Sequence, residues 1–179
     1  IPKPLCEKYG FKSGYDILME EQENGLFIKL KVNKPVINTN VWTIGYEGRT
    51  IDDFVNELSG IGIKQLIDVR EIPISRKKGF SKTALKGNLE KAGINYIHFS
   101  KLGSPSDIRN IYKEGGSMNE FMEKYSKYFH TQTDSYNQLK GYAFISPSVI
   151  MCMERAPIGC HRRIIAEELK QEGFNITHL

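Results

Sequence analysis

The segment 41–70 constrains the fold more than any other part of the chain. Val41-Trp42-Thr43-Ile44-Gly45-Tyr46 is an apolar run of strand length that ends at a glycine. Thr50 stands where a helix N-cap belongs, with Asp52 and Asp53 just behind it at the positive end of the helix dipole. Phe54, Leu58 and Ile61 form an apolar stripe at helical spacing, so a helix is expected over 51–58. Gln65-Leu66-Ile67-Asp68-Val69-Arg70 is a second short strand whose apolar centre ends in charge. Strand, helix and strand in so few residues make a βαβ unit, which pairs its strands in parallel.

The alternation continues. Ser81 is placed to cap a helix carrying Ala84, Leu85, Leu89 and Ala92, and Gly93 stops it. Asn95–Phe99 reads as a third strand, and 118–129 as an aromatic-rich helix. The segments 142–145 and 148–153 are expected to contain the fourth strand, with a turn at Pro147. A final helix over 161–172 precedes an edge strand over 174–179. The expected fold class is α/β, an open and mainly parallel sheet with helices on both faces, occupying residues 41–179.

Residues 1–32 read as a separate small module. A short helix is expected over 1–10, a turn over 11–15, and a hairpin of two strands, 15–21 and 26–32, around the Asn24-Gly25 turn signal. Two strands and a short helix cannot bury a core, so the module needs a partner, either the rest of the chain or a second copy. Residues 33–40, with one proline and three asparagines, form a linker. Residues 1–40 carry six lysines against five acids, so charge alone does not decide what this region binds.

Composition narrows the class. Of the 179 residues, 40% are hydrophobic and 26% charged, which suits a folded domain with a core and excludes a mostly disordered chain. No apolar run approaches the ~18 residues of a membrane span, and the sequence shows no charged-then-apolar leader of the secretory kind. The chain opens on Ile1-Pro2-Lys3 without a Met, so its true start is expected further upstream. The odd cysteine count (Cys6, Cys152, Cys160) fits a reducing compartment, and a cytoplasmic location is expected. The net charge of +4 is compatible with nucleic acid without demanding it.

Two resemblances follow from these residues. Ile1-Pro2-Lys3-Pro4-Leu5, Tyr9-Gly10-Phe11-Lys12-Ser13-Gly14-Tyr15 and Asn24-Gly25-Leu26-Phe27-Ile28 resemble the swapped-hairpin DNA-binding modules of the AbrB and MazE type. Such modules interleave hairpins into a dimer and hold DNA on a basic face. The resemblance therefore implies DNA as a partner, and a homodimer where the module's first strand, which would precede Ile1, is present. Thr43-Ile44-Gly45-Tyr46-Glu47-Gly48-Arg49, Ile67-Asp68-Val69-Arg70, Ser75-Arg76 with Gly79-Phe80-Ser81-Lys82, Gly93-Ile94-Asn95-Tyr96 and Cys160-His161-Arg162 together resemble the domain-of-unknown-function 488 family over about 41–172. That resemblance implies the fold and the place of the site, and leaves the reaction open.

Ligands of open α/β sheets sit beyond the carboxyl ends of the strands. Four loops there carry polar groups. The first holds Tyr46, Glu47 and Arg49, and the second Asp68 and Arg70 with the basic stretch behind them. The third holds Lys101-Leu102-Gly103, and the fourth Glu154-Arg155 with Cys160-His161-Arg162-Arg163. Asp68 either activates water or steadies a developing cation, or else it fixes its own loop; Glu47 and Glu154 are further acid/base candidates. Arg70, Arg76, Lys77, Lys78, Lys82 and Lys86 form a cationic segment suited to backbone phosphates, and Phe80 within it is a candidate for stacking on a base. The helix start at Cys160-His161-Arg162 is a candidate anion site, with Arg162 as a bidentate fork. Tyr46, Arg49 and Cys160 are expected to line the pocket, the Cys160 thiol in a packing role.

Other chemistries fit less well. Cys160 runs at once into His161-Arg162-Arg163, unlike a rhodanese loop, and neither Cys152 nor Cys160 opens a Cys-x5-Arg phosphatase loop. Cys152, Cys160 and His161 offer three metal donors at most, without a CxxC, so no metal and no cofactor is expected. Two functions remain in view. One is hydrolysis on a nucleobase or nucleotide, with base excision from DNA as the first version to test. The other is a non-catalytic DNA-binding regulator that senses an anionic ligand.

Overall fold

The computed structural model describes residues 16–22, 25–31 and 39–179, and the chain divides into two compact units, Ile1–Ile37 and Asn38–Leu179. In the first unit, β1 (Asp16–Gln22) pairs antiparallel with β2 (Gly25–Lys31), with Asp16 opposite Lys31 and Gln22 opposite Gly25. Gly25 thus belongs to the ladder, where the sequence placed it in the turn. The helix expected over 1–10, the turn over 11–15, the connecting residues 23–24 and most of the 33–40 linker lie outside the described residues.

The second unit is built on five parallel strands in the order β5-β4-β6-β3-β7. These are β3 (Asn40–Gly45), β4 (Gln65–Asp68), β5 (Asn95–His98), β6 (Ser148–Cys152) and β7 (Asn175–His178). Every residue of β4 and of β6 is buried, as expected of strands covered on both faces. Alternate side chains serve two cores. Ile44, Leu66, Val149 and Met151 face one, and Val41, Ile67, Ile150 and Cys152 the other.

The first core is closed by α1 (Ile51–Gly60), through Phe54 and Leu58, and by α2 (Lys82–Lys91), through Leu85 and Leu89. Thr50 caps α1 by accepting the Asp53 N–H at 3.1 Å. Ser81 occupies the N-cap position of α2 without capping it; its hydroxyl instead donates to the Ser75 carbonyl at 2.9 Å and accepts the Ser75 N–H at 3.2 Å. The opposite face carries α4 (Met118–Phe129), α5 (Thr133–Ile145) and α6 (Arg162–Gln171), with α3 (Ser106–Lys113) joined to α4 by a short connection. Phe121, Tyr125 and Phe129 recur every four residues along α4 and are all buried.

One strand assignment is corrected. Residues 142–145 close α5 and only 148–152 form the strand. Tyr142-Ala143-Phe144-Ile145 has strand-like composition, but Leu139 and Ala143 lie four apart on one buried helical face, and that packing decides the matter. Among the described residues, no helix is long and apolar enough to cross a membrane.

Candidate functional site

The connections leaving β3 and β4 lead to helices on one face of the sheet, and those leaving β5 and β6 lead to helices on the other. Loops that diverge in this way leave a crevice at the carboxyl edge. The crevice is a cleft of about 340 Å³. Tyr46 from the end of β3, Arg70 and Glu71 after β4, Ser104 and Arg109 after β5, and Cys152, Glu154 and His161 at and after β6 all line it. Ile72, Ile74, Met118, Phe121 and Met153 make the rest of the wall apolar. A shallower depression adjoins it, sharing Tyr46, Ile74 and Met153 and adding Glu47, Gly48, Ser75, Arg76 and Lys77.

Two glycines allow the loops to meet. A Cβ on Gly45 would lie 1.8 Å from the Glu154 carbonyl oxygen, and one on Gly103 would lie 2.0 Å from the Glu71 nitrogen. Both obstacles are backbone, which cannot swing aside as a flexible side chain would. The β-ladder also runs past the strand ends, because Tyr46 N–H donates to the Cys152 carbonyl at 3.3 Å and Glu47 N–H to Met153 at 2.9 Å.

Asp68 is a lock and not an open carboxylate. It is wholly buried, and its oxygens accept from the Arg70 backbone N–H, from Arg70 Nε and Nη2 and from the Tyr96 hydroxyl, at 2.6–3.1 Å. Arg70, itself 6% exposed, donates its other terminal nitrogen to the Phe80 carbonyl at 2.8 Å and lies over the Tyr46 ring. Burial, together with the adjacent Asp68 charge, pushes the Tyr96 hydroxyl far above its ordinary range. The sequence left open whether Asp68 moves a proton or pins its loop. The geometry gives it every partner a pinning residue needs, and it does not line the cleft.

Three more expectations are corrected on position. Phe80 is fully buried, stacked on Tyr46 at 4.5 Å and edge-on to Phe54, so it has no face to offer a base. Arg162 is fully buried at the start of α6; it donates to the Glu154 carbonyl and, at 2.8 Å, to the Arg155 carbonyl, so it braces the loop after β6 instead of awaiting an anion. Arg49 is held by Glu57 and by the Gly45 carbonyl. Arg76 and Lys82 are exposed, as a phosphate-binding segment requires, whereas Lys77 is half-buried and reaches the Tyr46 carbonyl at 3.3 Å. Glu47 is exposed and accepts the Arg155 N–H at 3.0 Å.

The fourth loop brings together what spacing alone did not. The 3-10 turn at Pro157–Gly159 folds the chain back, so that ligating atoms of Cys152, Glu154, Cys160 and His161 all lie within 4.8 Å of one another. The count of three donors made from sequence is therefore one short, because Glu154 stands two residues beyond Cys152 at a strand end. Cys152 Sγ donates to Glu154 Oε2 at 3.1 Å and lies 3.7 Å from His161 Nδ1; Cys160 Sγ lies 4.0 Å from the same nitrogen. Neither cysteine is in a disulfide. The other ring nitrogen, Nε2, bonds the Val69 carbonyl at 2.9 Å, and Tyr125 packs edge-on against the ring at 5.0 Å.

The electrostatics of this group suit a reactive carboxylate more than a reactive thiol. Burial and the neighbouring Cys152 push the Cys160 thiol well above its usual value, which favours the protonated form and opposes attack by a free thiolate. Burial works against the Glu154 charge as well, but hydrogen bonds from Cys160 and Cys152 outweigh it and hold the carboxyl below its ordinary range. Glu154 lines the cleft half-buried, and these hydrogen bonds favour its charged form.

Sequence reasoning missed Glu71 and Arg109, ion-paired at 2.8 Å on the cleft wall, and Tyr96 and Tyr125, which orient Asp68 and His161. Each is an ordinary residue in an ordinary helix, strand or loop, and only the crevice gives it a position. No curated relative and no solved structure matches the chain. The domain of unknown function DUF488 does match it, over residues 50–169, which takes in α1 through most of α6 and every loop of the cleft except that of Tyr46, and the chain belongs to that family.

Proposed function

We propose that the α/β domain is a hydrolase acting on a nucleobase or nucleotide, with the N-glycosidic bond of a DNA base as the preferred target. The observation that carries this reading is Glu154, a half-buried carboxylate close to His161 on the wall of a largely apolar cleft, with Arg76 and Lys77 in the adjoining depression. A flat base suits walls formed by Ile72, Ile74, Met118 and Phe121. The phosphates of the strand that carries it suit Arg76 and Lys77 in the adjoining depression. In the reaction, Glu154 accepts a proton from water as the oxygen bonds to the sugar carbon. The carbon–nitrogen bond breaks and the base leaves with the electron pair, to be protonated in turn. Asp68 takes no part in this chemistry and is assigned to holding Arg70 against Tyr46.

A base must leave its stack to enter such a cleft, so DNA is the partner proposed for the whole chain. The antiparallel β1–β2 hairpin supports the further proposal of an AbrB-like DNA-holding module that dimerises where its first strand is present. The two thiols outside any disulfide suit work in the reducing cytoplasm.

The test is a panel of single-stranded and duplex oligonucleotides, each with one damaged base, incubated with the full chain and scored for abasic product and for binding. Wild type should release at least one base with multiple turnovers. Glu154→Gln should lower that rate by about 10²–10⁴-fold, the usual contribution of a general base, and leave binding in place. Binding without release of any base would reject the hydrolase and favour the regulator that senses an anion.

A further inference from the structure

We propose that Cys152 Sγ, Cys160 Sγ and His161 Nδ1 together bind one thiophilic divalent cation, zinc by the chemistry of the set, with a fourth position open to the cleft beside Glu154. The proposal stands on its own geometry and does not depend on the hydrolytic reading.

Three observations carry it. The first is spacing. Tetrahedral zinc with a Zn–S bond of ~2.3 Å and a Zn–N bond of ~2.0 Å separates sulfur from nitrogen by about 3.5 Å. The sulfurs of Cys152 and Cys160 lie 3.7 and 4.0 Å from Nδ1, so a few tenths of an ångström of contraction would close the shell.

The second is the orientation of the imidazole. Nε2 bonds the Val69 carbonyl at 2.9 Å, and an acceptor there requires the proton on Nε2. The lone pair is thereby left on Nδ1, the nitrogen that faces both sulfurs. Metal-bound histidines are held in this manner, the remote N–H given to a carbonyl or carboxylate. Tyr125 against one side of the ring, with its hydroxyl fixed on the Leu102 carbonyl at 2.7 Å, keeps the imidazole from rotating away.

The third is access. Cys152, Glu154 and His161 line the cleft, whereas Cys160 lies behind them. A metal held by the three donors would therefore be reachable from the cleft, where a fourth position could take water. Catalytic zinc sites keep such a position for water, while structural sites close it with a fourth protein ligand. Glu154, whose carboxylate lies within 4.8 Å of all three donors, is close enough to take a proton from a water held there. Two sulfurs and an imidazole favour zinc over magnesium or calcium, which take oxygen donors.

The experiment uses the full chain, freed of metal by a chelator under reducing conditions and titrated first with Co²⁺ and then with Zn²⁺. One Co²⁺ per chain should bind, with thiolate-to-cobalt absorption in the near ultraviolet and the intense visible bands of a tetrahedral ion, and Zn²⁺ should bleach both. Cys152→Ser, Cys160→Ser and His161→Ala should each lose stoichiometric binding, while Cys6→Ser should keep it. Glu154→Gln should keep the spectrum and its stoichiometry, which shows that the fold and the three ligands survive a change at this loop. Absence of cobalt bands in a chain whose thiols titrate as reduced would overturn the site. Formation of a Cys152–Cys160 disulfide in place of metal binding would overturn it too, and loss of the metal in Glu154→Gln would overturn the open position by making Glu154 a ligand. The two proposals fail separately. Stoichiometric metal without turnover rejects the hydrolase alone, and turnover by a chain that binds no metal rejects the metal site alone.

Discussion

Two buried polar clusters stand about one strand apart at the carboxyl edge of the sheet. One is Asp68 and Arg70 at the end of β4 with the Tyr96 hydroxyl reaching them from β5; the other is Cys152, Glu154, Cys160 and His161 at and after the end of β6. Both contain a carboxylate, and by residue type the first looks the more reactive. The structure gives the two carboxylates different surroundings. Every oxygen of Asp68 is taken up by Arg70 or Tyr96, both carried by the same two neighbouring strands. In the second cluster the carboxylate is supported by thiols, which are weak donors, and stays partly exposed to the cleft. A polar group whose partners are all strong and internal holds a fold together. A group left with weak partners and an open side has capacity for a ligand or a proton.

The largest effect that can test this contrast is on stability. Asp68→Asn removes the charge opposite a guanidinium that is 6% exposed, and breaking a buried pair from one side costs about 3–5 kcal/mol. Urea denaturation should show that loss. Glu154→Gln, on the partly exposed side, should lose far less stability while losing the activity proposed above. Equal stability losses in the two variants would end the distinction.

Tyr96→Phe sharpens the first half of it. A hydrogen bond to a charged acceptor contributes roughly 1.5–3 kcal/mol, and the variant should lose about that much at neutral pH. The pH dependence has a definite sign. The native hydroxyl is raised above its unfolded value of about 10, so its contribution is complete below that pH and fades as pH rises toward the native value. The stability difference between wild type and variant should stay flat from neutrality to about pH 9 and shrink only in stronger alkali.

Gly45→Ala tests the close approach of β3 to the loop after β6, which carries the second cluster. Overpacking against backbone costs about 1–3 kcal/mol, and here the displaced atoms belong to Glu154 and Arg155. Cobalt binding should weaken along with stability, whereas Asp68→Asn should spare the cobalt spectrum at temperatures where the variant is folded. The smallest effect concerns the lip of the cleft. Removing the charges of Arg76 and Lys77 by alanine should flatten the salt dependence of duplex binding, by roughly 0.9 in the log–log slope for each phosphate left unneutralised. An unchanged slope would remove this segment from the interface.

Much of the fold was legible because it is written in local periodicity. The βαβ unit over 41–70, the cap at Thr50, the aromatic stripe of α4 and the edge position of β7 each follow from residues within a turn or a strand of one another. The cleft at the carboxyl edge was legible for a related reason, since the loops that follow parallel strands gather there. The family resemblance over the main domain stands, since the match covers residues 50–169.

What tertiary structure decided was the state of each polar and aromatic group at that edge. Residues 142–145 became helix because Leu139 and Ala143 share a buried face, a long-range cause that outweighs local preference. Phe80 and Arg162 have residue types that suit a binding surface, yet both are buried, since the crossover segments carry them beneath the loops they were expected to crown. The donor cluster depends on a 3-10 turn and on the distant Gly45, neither of which spacing reveals. Sequence determines which groups arrive at the edge of the sheet, because strand ends are local features. Whether a group arrives with its hydrogen bonds already satisfied depends on neighbours from other strands, and that is settled only when the chain has folded.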